Sequence, residues 1–246
     1  MQVSTAHSRT QRLQDWLATP AGQYLQAQQQ ALLEAALAGK VMQYLLHYGS
    51  DLVRPARERV RHVIRLGMQH PGSELLSEEA AWPVREHAAD AVLLLNALEC
   101  ADSPHQLLRE AARCVRPGGH LVMVGVNPWS LWGLRGRWCG PAEQRLHPLS
   151  PARLIDWLHL LGFALEHRQF GCYRPPLCMS RAGGCSRVEQ VAQRLQLPGG
   201  GCYVLVACKR VAGLRPLPES RRAPRLPLRA VPVAKVGHQP DNPSRS

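Results

Sequence analysis

Two kinds of hydrophobic pattern alternate along the middle of the chain. Ala91–Leu95 and Leu121–Val126 are continuous apolar runs of strand length, the pattern of strands buried on both faces. Between them, Ser103-Pro104-His105-Gln106 supplies Ser as N-cap, Pro at the first helical position and Gln at N3, a capping box. Leu107, Leu108, Ala111, Cys114 and Val115 then recur at helical spacing until Arg116-Pro117-Gly118-Gly119 ends the helix. Strand, capped helix, tight turn and strand make a βαβ unit, which predicts a parallel sheet covered by helices. A second helix opens at Ser150-Pro151, carries the stripe Leu154, Ile155, Trp157, Leu158 and Leu161, and stops at Gly162. Phe163–Tyr173 and Tyr203–Cys208 read as strands, with an insertion between them that holds a short helix capped by Ser186, with Glu189 at N3. No long crossover helix separates these two strands, so they are expected to pair antiparallel at one side of the sheet. Upstream, residues 9–39 read as helix, with Thr19 as cap and Pro20 behind it. Tyr24, Leu25, Gln28, Leu32, Ala36 and Leu37 fall on one face, and Gly39 is the stop.

These patterns divide the chain into an N-terminal helical segment (1–39), an α/β domain (40–210) and a Pro- and Arg-rich stretch (211–246). The last has no usable periodicity and is expected to be a solvated, disordered tail. A formal net charge of +12 and a pI near 9.9 permit anionic partners such as RNA or acidic lipid, the tail serving as a nucleic-acid arm in the first case. No apolar run approaches the ~20 residues of a membrane span, and the N-terminus has neither a basic nor an apolar signal region. A cytoplasmic chain with reduced thiols is therefore expected. The eight cysteines form no C-x₂-C pair; a zinc site from Cys172, Cys178, Cys185 and a His is the alternative to plain free thiols. The His residues show no H-E-x-x-H, so no catalytic metal is expected.

The stretch Ala89–Glu99 (Ala-Asp-Ala-Val-Leu-Leu-Leu-Asn-Ala-Leu-Glu), followed by Leu107-Leu108-Arg109-Glu110 and by Arg116-Pro117-Gly118-Gly119-His120-Leu121, resembles class I S-adenosylmethionine-dependent methyltransferases. The continuation Gly125-Val126-Asn127-Pro128-Trp129-Ser130-Leu131-Trp132-Gly133-Leu134-Arg135 resembles a bacterial subgroup of uncharacterised methyltransferase-like proteins. The resemblance implies a Rossmann-like, seven-stranded mixed sheet with an antiparallel last strand and helices on both faces. It also implies S-adenosylmethionine as methyl donor to an unknown acceptor, bound beyond the carboxyl ends of the strands.

The same comparison marks the candidate site. Gly49 matches the first glycine of the family's cofactor loop, but His47 stands in place of the acidic residue, and Asp51 and Val53 replace the other two glycines. Arg65 lies near the position of the ribose-binding carboxylate. Ser77-Glu78-Glu79-Ala80-Ala81-Trp82-Pro83 resembles the loop that receives adenine, with Glu78 as acceptor for its amino group, and Asn96, Ala97 and Leu98 complete the expected cofactor contacts. Asn127 and Trp129 are the substrate-side candidates, an amide to orient the acceptor and an indole to exclude water; the competing reading of Asn127 is a turn residue capping its own backbone. Asp90 is expected to orient its strand, and no catalytic base is assigned. The degenerate glycine loop leaves two alternatives, a non-catalytic binding or scaffolding module with this fold and an RNA-associated protein.

Overall fold

A computed structural model describes residues 3–50, 59–67, 73–138, 147–174, 191, 195, 197 and 199–210. The Cys178 and Cys185 thiols, Asp51, Val53, the helix proposed at Ser186 and the tail from Val211 lie outside them.

One seven-stranded sheet organises the chain, in the order β3-β2-β1-β4-β5-β7-β6. The strands are β1 (Met42–Gly49), β2 (Val60–Gly67), β3 (Leu75–Leu76), β4 (Ala89–Leu95), β5 (Val115–Val126), β6 (Phe163–Gly171) and β7 (Cys202–Lys209). The first five run parallel, and β7 inserts antiparallel between β5 and β6. The apolar run at Ala91–Leu95 is thus the central strand. Its residues divide by parity, as a two-sided core requires. Val92 and Leu94 join Leu121, Met123 and Leu205 on one face, beneath α3 (Pro104–Cys114) and α5 (Pro151–Leu160). Ala91, Leu93 and Leu95 join Val122, Val124 and Val204 on the other, beneath α1 (Val3–Leu17), α2 (Pro20–Ala36) and Trp132 of α4 (Leu131–Trp138). Helices cover both faces, as expected.

The caps explain where the helices begin. Thr19 accepts the Gly22 N–H and Ser150 accepts the Arg153 N–H, each followed by proline. Ser103 departs from expectation: its side chain makes no capping bond. The carboxylate of Glu79, arriving from the loop after β3, accepts the N–H groups of Asp102 and Ser103 at 3.0 Å each. It thus accepts the Ser103 N–H that the Gln106 side chain would take in a capping box, at the positive end of the helix. The helical stretch at 9–39 is two helices broken at Ala18-Thr19, and α2 is rotated from the predicted phase: Gly22, Leu25, Gln29, Leu32, Leu33 and Ala36 are its buried residues.

Candidate functional site at the carboxyl rim

The strand registers set the rim. Gly49 lies opposite Leu95, Tyr48 opposite Leu66, and Gly67 opposite Leu76. Ser50, Asn96 and Ser77 therefore each stand one residue past their strands, at one level along the carboxyl edge. Ser50 and Ser77 are separated by β2, about 10 Å at two strand spacings.

Gly49 has φ +116°, open to glycine and strained for any other residue. A Cβ there would meet the Leu95 carbonyl oxygen, and the Ala97 Cβ at 3.1 Å. The conformation is thus required by the approach of β1 to β4, and Ser50 N–H donates to the same Leu95 oxygen at 2.9 Å. Asn96 is buried with φ +49°, which asparagine tolerates. Its amide exchanges two hydrogen bonds, 2.9 and 3.1 Å, with Gln29 of α2. Ala97 and Leu98 are buried in the core on the α3 face. Gly49, Asn96 and Ala97 are thus brought together, and Leu98 turns inward. Glu78 lies across the rim, exposed, its backbone bridged to Ala81.

The two substrate-side candidates separate. Asn127 is buried; its Nδ2 donates to the Gly200 carbonyl at 2.9 Å, and its Oδ1 accepts the Trp129 N–H at 3.2 Å. The turn-capping role is the geometry found. Trp129 points to solvent, 81% exposed. Asp90 accepts the N–H groups of Gln43 and Tyr44 and pairs with Arg116 at 2.8 Å, tying the start of β1 to β4 and β5. His47 is buried within β1, and Arg65 sits in β2.

Several residues at this rim carry no sequence signal. The hydroxyls of Ser50 and Ser77 and the Trp82 indole N–H are buried without a hydrogen-bond partner among the described residues. Trp82 stacks on Tyr48, centroids 5.3 Å apart and planes at 17°, and closes the rim on the α3 side. Glu99 is fully buried and accepts the Val126 N–H at 2.9 Å. A side chain on Gly125 would collide with both the Glu99 carboxylate and the Tyr203 hydroxyl, so these groups meet over a bare backbone. Burial pushes the Glu99 carboxyl up to about 7, against the lowering effect of the Val126 N–H. Burial, then the Glu99 charge, pushes the Tyr203 phenol well up.

Away from the rim, His120, Glu166 and Cys208 bring three metal-type donor atoms within 4.8 Å of one another on adjacent strands. The Lys40 ammonium stands 2.8 Å from both His120 Nε2 and Glu166 Oε2 and holds the cationic position there. Cys172 is buried past β6 as a free thiol, and burial raises its pKa, as it does for Cys100, Cys114 and Cys202.

Residues 31–123 match the family described as "Methyltransferase domain". The uncharacterized protein YafS of Escherichia coli K12 is 30% identical over 175 residues, covering 68% of each chain. The chain belongs to the class I S-adenosylmethionine-dependent methyltransferases. Among solved structures of that fold, a chain of the Haloferax volcanii complex between the Trm112 methyltransferase activator and a methyltransferase superposes with TM-score 0.57 at 15% identity, covering 81% of this chain and 98% of that one. The N-methyltransferase NodS of Bradyrhizobium japonicum, in complex with S-adenosyl-L-homocysteine, gives TM-score 0.55 at 11% identity, over 82% of this chain and 98% of its own. At these identities the two structures speak for the fold. Among the described residues no helix is long and apolar enough to cross a membrane.

Proposed function

We propose that the chain binds S-adenosylmethionine across the carboxyl rim of β1, β3 and β4 and transfers its methyl group to an acceptor approaching from the β5 side. The single observation that carries this reading is the pair of buried, partnerless hydroxyls of Ser50 and Ser77 at one level of the rim. An unsatisfied buried hydroxyl costs about 1–3 kcal/mol, a cost that a polar ligand offsets. The residues present fit a nucleoside of this kind. Ser50 and Ser77 offer hydroxyls to ribose and carboxylate groups, Glu78 accepts from the adenine amino group, and the stacked Tyr48 and Trp82 rings back an apolar ring. The donor supplies a sulfonium methyl group open to in-line displacement. What the chain contributes is alignment and exclusion of water, which suffice for such a displacement without an assigned base.

One further observation favours the second reading, a non-catalytic module. Asp51 and Val53 stand where the family's cofactor loop carries its second and third glycines. Glycine at those positions leaves the donor room that a side chain takes, and a side chain at Gly49 itself would meet Leu95 and Ala97. Binding of S-adenosyl-L-homocysteine to wild type and to Glu78→Ala distinguishes the readings. The loss of one charge-assisted hydrogen bond lowers affinity about 10–150-fold. Equal affinities would move adenine away from Glu78, and turnover-incompetent binding would favour the module. A reading as RNA-associated protein rests on the basic composition and on residues 211–246, and salt-dependent RNA binding is its test.

A further inference from the structure

At the end of the sheet opposite the rim, three adjacent strands bring a nitrogen, an oxygen and a sulfur donor to one place. His120 of β5 lies directly across from Cys208 of β7, and Cys208 pairs on its other side with Ala164 of β6. The β6–β7 register slips between Leu165 and His167, so Glu166 is the extra residue of a β-bulge on an edge strand. A bulge re-aims a side chain. Here the Glu166 carboxylate meets the His120 imidazole, with Oε2 at 3.3 Å from Nε2. The free Cys208 thiol completes the group, one donor atom of each residue lying within 4.8 Å of the others.

The Lys40 ammonium, 2.8 Å from both His120 Nε2 and Glu166 Oε2, marks where these donors converge. An ammonium only donates, so Nε2 accepts and the ring is neutral with its proton on Nδ1, the form that binds metals. The 3.3 Å between Nε2 and Oε2 is close to the edge of a zinc tetrahedron, about 3.4 Å for bonds of about 2.0–2.1 Å. Charge balances with either occupant. One ammonium offsets one carboxylate, and one divalent ion offsets a carboxylate and a thiolate. A nitrogen, oxygen and sulfur set suits zinc, whereas magnesium and calcium take oxygen. We infer that His120, Glu166 and Cys208 form a zinc site that clips the edge strand β6 to β7 and β5, with Lys40 as the resident cation that the metal displaces. Zinc bonds form to Nε2, Oε2 and Sγ, the thiol releases its proton to solvent, and the ammonium withdraws still protonated. The Lys40 side chain is 20% exposed and so has water to move into. Val126 at the rim lies about 20 Å further along β5, so the clip is independent of methyl transfer.

The full-length, reduced chain is stripped of metal and titrated with zinc against a chromophoric chelator, and separately with cobalt(II). Wild type is expected to take up zinc and to gain thermal stability from it. With cobalt it is expected to show a thiolate charge-transfer band and the visible bands of a tetrahedral ion. Cys208→Ser is expected to lose the charge-transfer band and to bind zinc about a hundredfold or more weakly, beyond what loss of an outer partner costs. Lys40→Met removes the competing cation and tightens zinc by up to about fivefold, the worth of an exposed ion pair. A wild type that takes up no zinc overturns the inference. Zinc held equally by wild type and Cys208→Ser overturns it too, and assigns the metal to Cys172, Cys178 and Cys185. Weaker binding in Lys40→Met would contradict the displacement, by making the ammonium a support of the site rather than its competitor.

Discussion

Replacing Glu99 with glutamine isolates what it costs to keep a carboxyl group between β4 and β5. The group lies at full burial beside the Tyr203 hydroxyl, and its pKa rises from 4.5 to about 7. A raised acid holds its proton in the folded chain while the unfolded chain has already released it. Stability is therefore highest below pH 4.5, falls as pH rises through the window from 4.5 to 7, and levels off above it. The gap corresponds to about 3 kcal/mol in all, most of which falls between pH 5 and 8. Glutamine keeps an oxygen for the Val126 N–H and does not titrate. Urea unfolding of both proteins at several pH values between 5 and 8 gives the difference curve, in which every other titrating group cancels. The variant is expected to gain about 2–3 kcal/mol on wild type over that span, about 5–10 °C in thermal midpoint for a chain of this size. Parallel curves would refute the reasoning by showing that Glu99 is not held neutral. A curve of opposite sign would mean that a cation stabilises the charged form.

Gly49→Ala meets a forbidden φ and the Leu95 carbonyl together, and calorimetric unfolding should show a loss of about 3 kcal/mol or more; a silent substitution would contradict the close approach of β1 to β4. Gln29→Leu leaves the Asn96 amide buried without its partner and should cost about 1–3 kcal/mol by denaturant titration. Adding Asn96→Gly, which accepts φ +49° and removes the orphaned amide, should recover part of that loss, and additive costs would argue against the pairing. Leu94→Asp puts an unpaired charge under α3 in the central strand and should abolish folding; a soluble variant with wild-type circular dichroism would displace β4 from the centre.

The legible parts of the fold were those in which local signals agreed. β4, α3 and β5 showed in sequence because continuous apolar runs flank a helix with a proline start, although α3 ends at Cys114 and the strand takes in Val115 and the Arg116-Pro117-Gly118-Gly119 stretch expected to be a turn. α5 was legible for the same reason. The phase of α2 was not, because Gln29 looks like a solvent-facing residue until Asn96, far along the chain, supplies its amide partner. Ser103 looks like a cap for as long as the Glu79 carboxylate is out of view. At the rim, Gly49 and the Asn96–Glu99 loop stood out by position in a family pattern, whereas the burial of Glu99 depends on Gly125, Val126 and Tyr203 converging from β5 and β7. Ser50 and Ser77 are two ordinary serines in sequence, and only the parallel register brings them to one level.

Isothermal titration of the full-length chain with S-adenosylmethionine and with S-adenosyl-L-homocysteine tests the central claim most directly. The account predicts saturable one-to-one binding of both, weakened by Asp51 and Val53 in place of two loop glycines but measurable below millimolar ligand, and lost in Glu78→Ala. No heat of binding to wild type at millimolar ligand would contradict it and leave the sheet as a non-catalytic module.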